Sequence, residues 1–138
     1  MVNLFNYTPR KSHTIRLGEL ALGGGAPLRL QSMTTCPTPD TAGCVEQCIR
    51  IIEAGADIVR LTTQGTREAE NLRHIKDALR QRGYQTPLVA DVHFNPNVAD
   101  VAAAIVEKVR INPGNYIDPA RTFKALEYTD EEYAAELQ

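Results

Sequence analysis

The sequence predicts an α/β fold, the N-terminal part of a TIM (β/α)8 barrel made of about four parallel strand–helix units. Three observations carry that prediction. Apolar, β-branched runs alternate four times with stretches of helical periodicity or turn residues. The strand centres, near Leu30, Val59, Val89 and Val109, are 29, 30 and 20 residues apart, which suits parallel strands joined by crossover helices. No strand is followed by a Gly-rich dinucleotide fingerprint, since Gly23 to Gly25 precede the first strand and open no helix; this favours a barrel over an open doubly wound sheet.

In chain order, Pro27 to Thr35 ("PLRLQSMTT") reads as the first strand, running into a polar end. Asp40 to Gly55 follows as a helix capped by Asp40 and closed by Gly55, with Val45, Cys48, Ile49 and Ile52 on one stripe. Asp57 to Gln64 ("DIVRLTTQ") is the second strand, and Thr66 caps the next helix, whose stripe is Leu72, Ile75 and Leu79 before Gly83. Pro87 to Phe94 ("PLVADVHF") is the third strand, leading to a helix with Asn95 as cap and Pro96 at its first position. The fourth strand is "EKVRINPGN". Thr129 and Glu132 make a capping box for a further helix in the segment 116–138.

A full barrel of this kind needs about 250 residues. The 138 residues are therefore expected to form a single partial domain, 1–138, from a longer protein. With 43% hydrophobic residues, 23% charged residues and a formal net charge of -2, the chain carries no basic excess for nucleic acid or a membrane surface. The N-terminus lacks the apolar core of a secretory signal, and no stretch approaches the roughly 20 apolar residues of a membrane span, so a cytoplasmic protein is expected. Cys36, Cys44 and Cys48 are an odd number with no export signal, which argues against a disulfide framework.

Barrel chemistry sits at the C-terminal ends of the strands, and polar residues gather there in each unit: Gln31, Ser32 and Thr34; Arg60, Thr62 and Gln64; Asp91 and His93; Arg110 and Asn112. Residues two apart on a strand share a face, so Asp91 goes with His93 and Arg110 with Asn112. Arg60 and Arg110 converge on one rim, where guanidinium groups suit a phosphate or carboxylate. The residues alone leave a second reading open, in which the two arginines pair with Asp57, Glu107 or Asp91 and hold the barrel together.

The stretches "QSMTT", "AGADIVRLTTQ", "PLVADVHF" and "VRINPGN", in this order and at these separations, resemble the N-terminal barrel of the GcpE family, the 4-hydroxy-3-methylbut-2-enyl diphosphate synthases of the non-mevalonate isoprenoid pathway. The likeness covers roughly Thr14 to Asn115, and "YIDPARTFKALEYTDEEYAAEL" resembles the long form with an extra domain. The resemblance implies an oxidoreductase that opens 2-C-methyl-D-erythritol 2,4-cyclodiphosphate, removes a hydroxyl as water and adds two electrons. It implies a 4Fe-4S cluster held by a C-terminal domain, with ligands outside this chain, and ferredoxin or flavodoxin as electron donor. No cofactor is expected in the fragment, which by itself is expected to be inactive. For this sequence it implies Arg60 and Arg110 as diphosphate clamps, Asn112 and Asn115 as neutral donors, and Ser32 as a further substrate contact. Asp91 and His93 are the catalytic candidates, lying beside the reacting carbons or orienting the arginines.

Cys48 joins the apolar stripe of the first helix, Cys36 sits at a strand end, and none matches a cluster ligand of the family. Asp91 and His93 could contribute to a metal site but lack a clear third ligand, so no metal role is assigned. His74 lies among charges on the second helix and reads as solvated. Two alternatives remain open: another phosphate-binding barrel such as a pterin-binding synthase, and a non-catalytic fragment whose unpaired strand edges drive it to a homodimer.

Overall fold

The structure, a computed structural model, describes residues 10–93, 95–114 and 128–136. The chain opens with a hairpin, β1 (Ile15–Leu17) and β2 (Leu20–Leu22), paired antiparallel with Leu17 opposite Leu20. The sequence reading missed it, although Ile-Arg-Leu-Gly-Glu-Leu-Ala-Leu alternates around a two-residue turn. Gly18 makes that turn at φ 55, a left-handed conformation that other residues resist. The turn lies near Pro87 and Glu107, so the hairpin sits at the N-terminal ends of the barrel strands.

The body is a parallel sheet of β3 (Gln31–Met33), β4 (Ile58–Thr63), β5 (Leu88–Val92) and β6 (Lys108–Arg110), in that spatial order. Neighbours in sequence are neighbours in space with no reversal, which is the order of a barrel wall and not of a doubly wound sheet. β3 is shorter than the strand predicted over Pro27 to Thr35. Leu30 still accepts hydrogen bonds through its carbonyl from the N–H groups of Asp57 and Ile58, but Leu28 is 96% exposed on the sheet's outer edge.

Helices α1 (Thr41–Glu53), α2 (Thr66–Gln81) and α3 (Pro96–Ala103) all pack on one face of the sheet. Val59, Leu61, Leu88, Ala90 and Val92 meet Leu72, Ile75, Leu79, Val98 and Ala102 in a single core. Each fully buried Leu or Ile here contributes about 1.5–3 kcal/mol by leaving water. Asp40 caps α1, accepting from the Gly43 N–H at 3.0 Å, and Asn95 caps α3, accepting from Asn97 at 3.1 Å. Two predictions need correction. The N-cap of α2 is Gly65, in extended conformation, and Thr66 is already helical. In α1 it is Cys44, with Val45 and Cys48, that is buried, while Ile49 and Ile52 pack at the margin of the core. The capping box holds: the Glu132 N–H donates to Thr129 Oγ1 at 3.3 Å, the Thr129 N–H donates to Glu132 Oε2 at 2.9 Å, and α4 spans Asp130–Glu136.

The N-terminal end of the wall is tied by ions. Glu107, entering β6, binds Lys76 at 2.9 Å and Arg80 at 3.1 Å, both from α2, and accepts the Leu88 N–H at 2.9 Å. Burial alone would raise the Glu107 carboxyl, but the Leu88 N–H and the Lys76 ammonium outweigh it and hold it below the usual carboxylate range. Arg29 binds Asp57 at 3.5 Å and donates to the Ala21 carbonyl at 3.3 Å, joining hairpin to wall.

Candidate functional site

Strand register decides which side chains meet. Met33 is opposite Arg60, Arg60 opposite Val89, Thr62 opposite Asp91, and Asp91 opposite Arg110. These positions alternate with Val59, Leu61, Leu88 and Ala90, which face the helices, so they form the other face, the barrel interior. At its C-terminal end the Asp91 carboxylate is shared: Oδ1 lies 3.0 Å from Arg110 Nη1 and Oδ2 lies 3.5 Å from Arg60 Nε. The Asp91 side chain is 7% exposed, whereas Arg60 and Arg110 are 33% and 48% exposed. Of the pairings left open by the sequence, Asp91 takes both arginines, while Asp57 and Glu107 are engaged by Arg29 and by Lys76 with Arg80.

This arrangement sets one carboxylate between two guanidiniums, leaving a surplus of one positive charge. Each guanidinium has five N–H donors, and the contacts described here use one nitrogen of each. Arg60 Nε also lies 3.2 Å from Met33 Sδ, a contact the sequence reading missed. Asp91 thus orients the arginines.

Ser32 does not join them. It is opposite Val59, hence on the helix side, where it lines a groove of about 380 Å³ with Leu30, Gln47, Arg50 and Ile51 of the β3–α1 face. The physical reason is the period of two, since the inward place at this level belongs to Met33. His93 follows β5, its N–H donating to the Thr63 carbonyl at 3.3 Å, and its residue is partly exposed. Asn112 is exposed, and its Oδ1 accepts the Gly114 N–H at 3.2 Å, so the side-chain oxygen shapes the loop after β6. Asn115 lies outside the described residues.

At the ends of β3 and β4, on the far side of the Met33 that touches Arg60, is a cleft of about 570 Å³ lined among others by Met33, Cys36, Thr38, Thr62, Gln64 and Glu68. The β3–α1 loop that forms one wall is held by two amide side chains that sequence reasoning overlooked. Gln47 Oε1 accepts the N–H groups of Thr35 at 3.1 Å and Cys36 at 3.0 Å, and its Nε2 donates to Thr35 Oγ1 at 2.9 Å. Asn71 Nδ2 donates to the Thr38 carbonyl at 2.7 Å, and Thr41 Oγ1 donates to Asn71 Oδ1 at 3.0 Å. Thr38 Oγ1 donates to the Thr62 carbonyl. Polar residues on helices read as solvent-facing unless their tertiary neighbours are known.

Among the described residues, no group of three or more His, Cys, Asp or Glu is arranged to hold a metal ion. Burial, before the effect of neighbouring sulfurs, pushes the Cys44 thiol well up and the Cys48 thiol up to about 12, so these two sit in the core as thiols. No helix of the described residues is long and apolar enough to cross a membrane.

Comparison with known proteins adds to this geometry. Residues 12–135 match the family described as GcpE TIM-barrel domain. The chain is 64% identical over 137 residues to 4-hydroxy-3-methylbut-2-en-1-yl diphosphate synthase (flavodoxin) of Bacteroides fragilis, covering 99% of this chain and 22% of that protein. It is 59% identical over 134 residues to the Parabacteroides distasonis protein of the same name, covering 97% of this chain and 22% of the relative. With the 4-hydroxy-3-methylbut-2-en-1-yl diphosphate synthase (ferredoxin), chloroplastic, of Arabidopsis thaliana it shares 48% identity over 129 residues, 94% of this chain and 17% of the other. The chain spans about a fifth of the length of the curated relatives it matches.

Proposed function

The chain belongs to the GcpE family, and from that premise we propose that it is the diphosphate-holding portion of a 4-hydroxy-3-methylbut-2-enyl diphosphate synthase of isoprenoid biosynthesis. The observation that carries the reading is the Arg60–Asp91–Arg110 cluster on the interior face. Two guanidiniums fixed by one buried carboxylate keep a net positive charge at a rim, with donors available to an anion of two phosphates. Family membership takes the place of the pterin-binding alternative.

In this reading the substrate is 2-C-methyl-D-erythritol 2,4-cyclodiphosphate. Arg60 and Arg110 bind its diphosphate, Asp91 fixes their angle, and His93, two residues beyond Asp91, approaches the reacting carbons. Asn112 borders the site from the loop after β6, and Asn115 would add a second neutral donor. A 4Fe-4S cluster would supply the two electrons of the ring opening; its ligands belong to residues other than those described here. Flavodoxin or ferredoxin, the donors in the relatives' names, would deliver them.

Calorimetric titration of the chain with the cyclic diphosphate, at low and moderate salt, tests the clamp. Saturable binding that weakens about tenfold or more in both Arg60→Ala and Arg110→Ala supports it, a loss in keeping with the strength of a charge-assisted hydrogen bond to an anion. Binding that neither substitution changes, in folded protein, would falsify it.

A second reading concerns assembly. β3 and β6 each pair on one side among the described residues, and Leu30 at the β3 edge is 65% exposed. Two copies that pair these edges into a homodimer would cover both. Light scattering at high concentration should give the dimer mass, and a monodisperse monomer removes this reading.

A further inference from the structure

Two cysteines at the rim stand in a relation that the diphosphate site does not use. Cys36 lies in the β3–α1 loop, partly exposed and lining the 570 Å³ cleft, while Cys44 is fully buried in the first turn of α1. Their sulfurs are 2.9 Å apart, and both are free thiols. Cys48, one turn further along α1, is buried in the helix-side core.

We infer that Cys36 and Cys44 form a peroxide-responsive thiol pair that closes reversibly to a disulfide and locks the β3–α1 loop onto α1. Three features of the geometry support it. The accessible member faces a cleft that admits a small oxidant, as redox-sensitive thiols require. The resolving sulfur is already in contact, so closure to a bond of about 2.05 Å takes a movement of under about 1 Å along the sulfur–sulfur line. The loop is held at the Cys36 backbone by Gln47, so the thiol is presented from a fixed position.

The chemistry balances with hydrogen peroxide as the oxidant. The Cys36 sulfur attacks one peroxide oxygen, the O–O bond breaks, and water leaves; Cys36 is now a sulfenic acid. The Cys44 sulfur then attacks the Cys36 sulfur, the S–OH bond breaks, and the Cys44 proton departs with the hydroxyl as a second water. Two thiols have lost two electrons and peroxide has gained them. A dithiol reverses the change. Because the locked loop carries Cys36 and Thr38 beside Met33 and Thr62, the switch acts on the wall of the cleft.

The test uses the native chain, oxidised with hydrogen peroxide, alkylated, and cleaved before Asp40 and after Glu46. Those cuts place Cys36, Cys44 and Cys48 on three different peptides. The expected result is a linked pair of peptides carrying Cys36 and Cys44, two hydrogens lighter than their sum and separated by dithiothreitol. Cys36→Ser, at the partly exposed position, should abolish the link, and Cys48→Ala should keep it. Linkage through Cys48, the three pairings in random proportion, or overoxidation of Cys36 with no linkage would each overturn the assignment. Because wild-type mapping gives the pairing by itself, the result does not depend on any variant folding.

Discussion

Asp91 and Arg110 occupy directly paired positions on β5 and β6, and their side chains meet at 3.0 Å on the interior face. Arg60, one strand away on the other side, reaches the second oxygen of the same carboxylate at 3.5 Å. The cation that ends the last strand therefore has a protein anion to orient it as well as a charge surplus to offer.

Replacing Asp91 with Asn keeps the shape and removes the charge. We expect a loss of about 1–2 kcal/mol in urea unfolding, at the lower end for charged hydrogen bonds because both arginines are partly solvated. Asp91→Asn combined with Arg110→Ala should cost less than the sum of the two, by about 0.5–1 kcal/mol. Strict additivity would mean that the pair is not coupled.

Glu107 makes stability depend on acid. Its carboxyl is held below its ordinary value in the folded chain, so its contribution is present above the unfolded pKa and is lost as pH falls through the folded one. Glu107→Gln should lower stability at neutral pH by about 2 kcal/mol, and its melting temperature should fall less steeply than that of the wild type on acidification. Parallel curves for the two proteins would exclude Glu107 as the source.

Gly24 has φ +59, and a Cβ built there would stand 1.8 Å from Thr14 Oγ1. Gly24→Ala should destabilise by about 1–2 kcal/mol from the left-handed backbone alone, with the clash in addition. Adding Thr14→Ala removes the hydroxyl and should recover part of the clash, leaving the backbone cost and the tight contacts to the Cβ at 3.0 Å and the N at 3.3 Å of residue 14. Urea midpoints of the single and double variants separate the two.

Asn71→Ala removes the amide that joins α2 to the β3–α1 loop. Amide hydrogens of Thr35 to Asp40 should exchange about tenfold faster, with the core of α2 unchanged. Equal exchange in both proteins would show that Gln47 and the Thr38 hydroxyl hold the loop without Asn71.

The alternation of apolar strands and periodic helices was legible because each helix has one stripe facing one sheet, as Leu72, Ile75 and Leu79 do on α2. The rim was legible too, since polar residues that recur at the ends of four successive strands mark the end of a barrel where ligands bind. The phase of β3 was not. Leu28, Leu30 and Met33 do not keep a period of two, so the sequence allows Ser32 or Met33 to point inward, and pairing with Val59 and Arg60 decides it. The roles of Gln47 and Asn71, and the approach of Cys36 to Cys44, depend on the path of a loop, which no periodicity encodes.

The strict succession of β3, β4, β5 and β6 across the sheet bears on the order of events during synthesis. Each strand docks against the one translated just before it, and its helix covers the joint, so no segment has to wait for a distant part of the chain. The wall can grow behind the ribosome one unit at a time, with the newest strand always the exposed edge. Arg60 is then made before its anchor Asp91, and the charged cluster is complete only when β6 brings Arg110 into register.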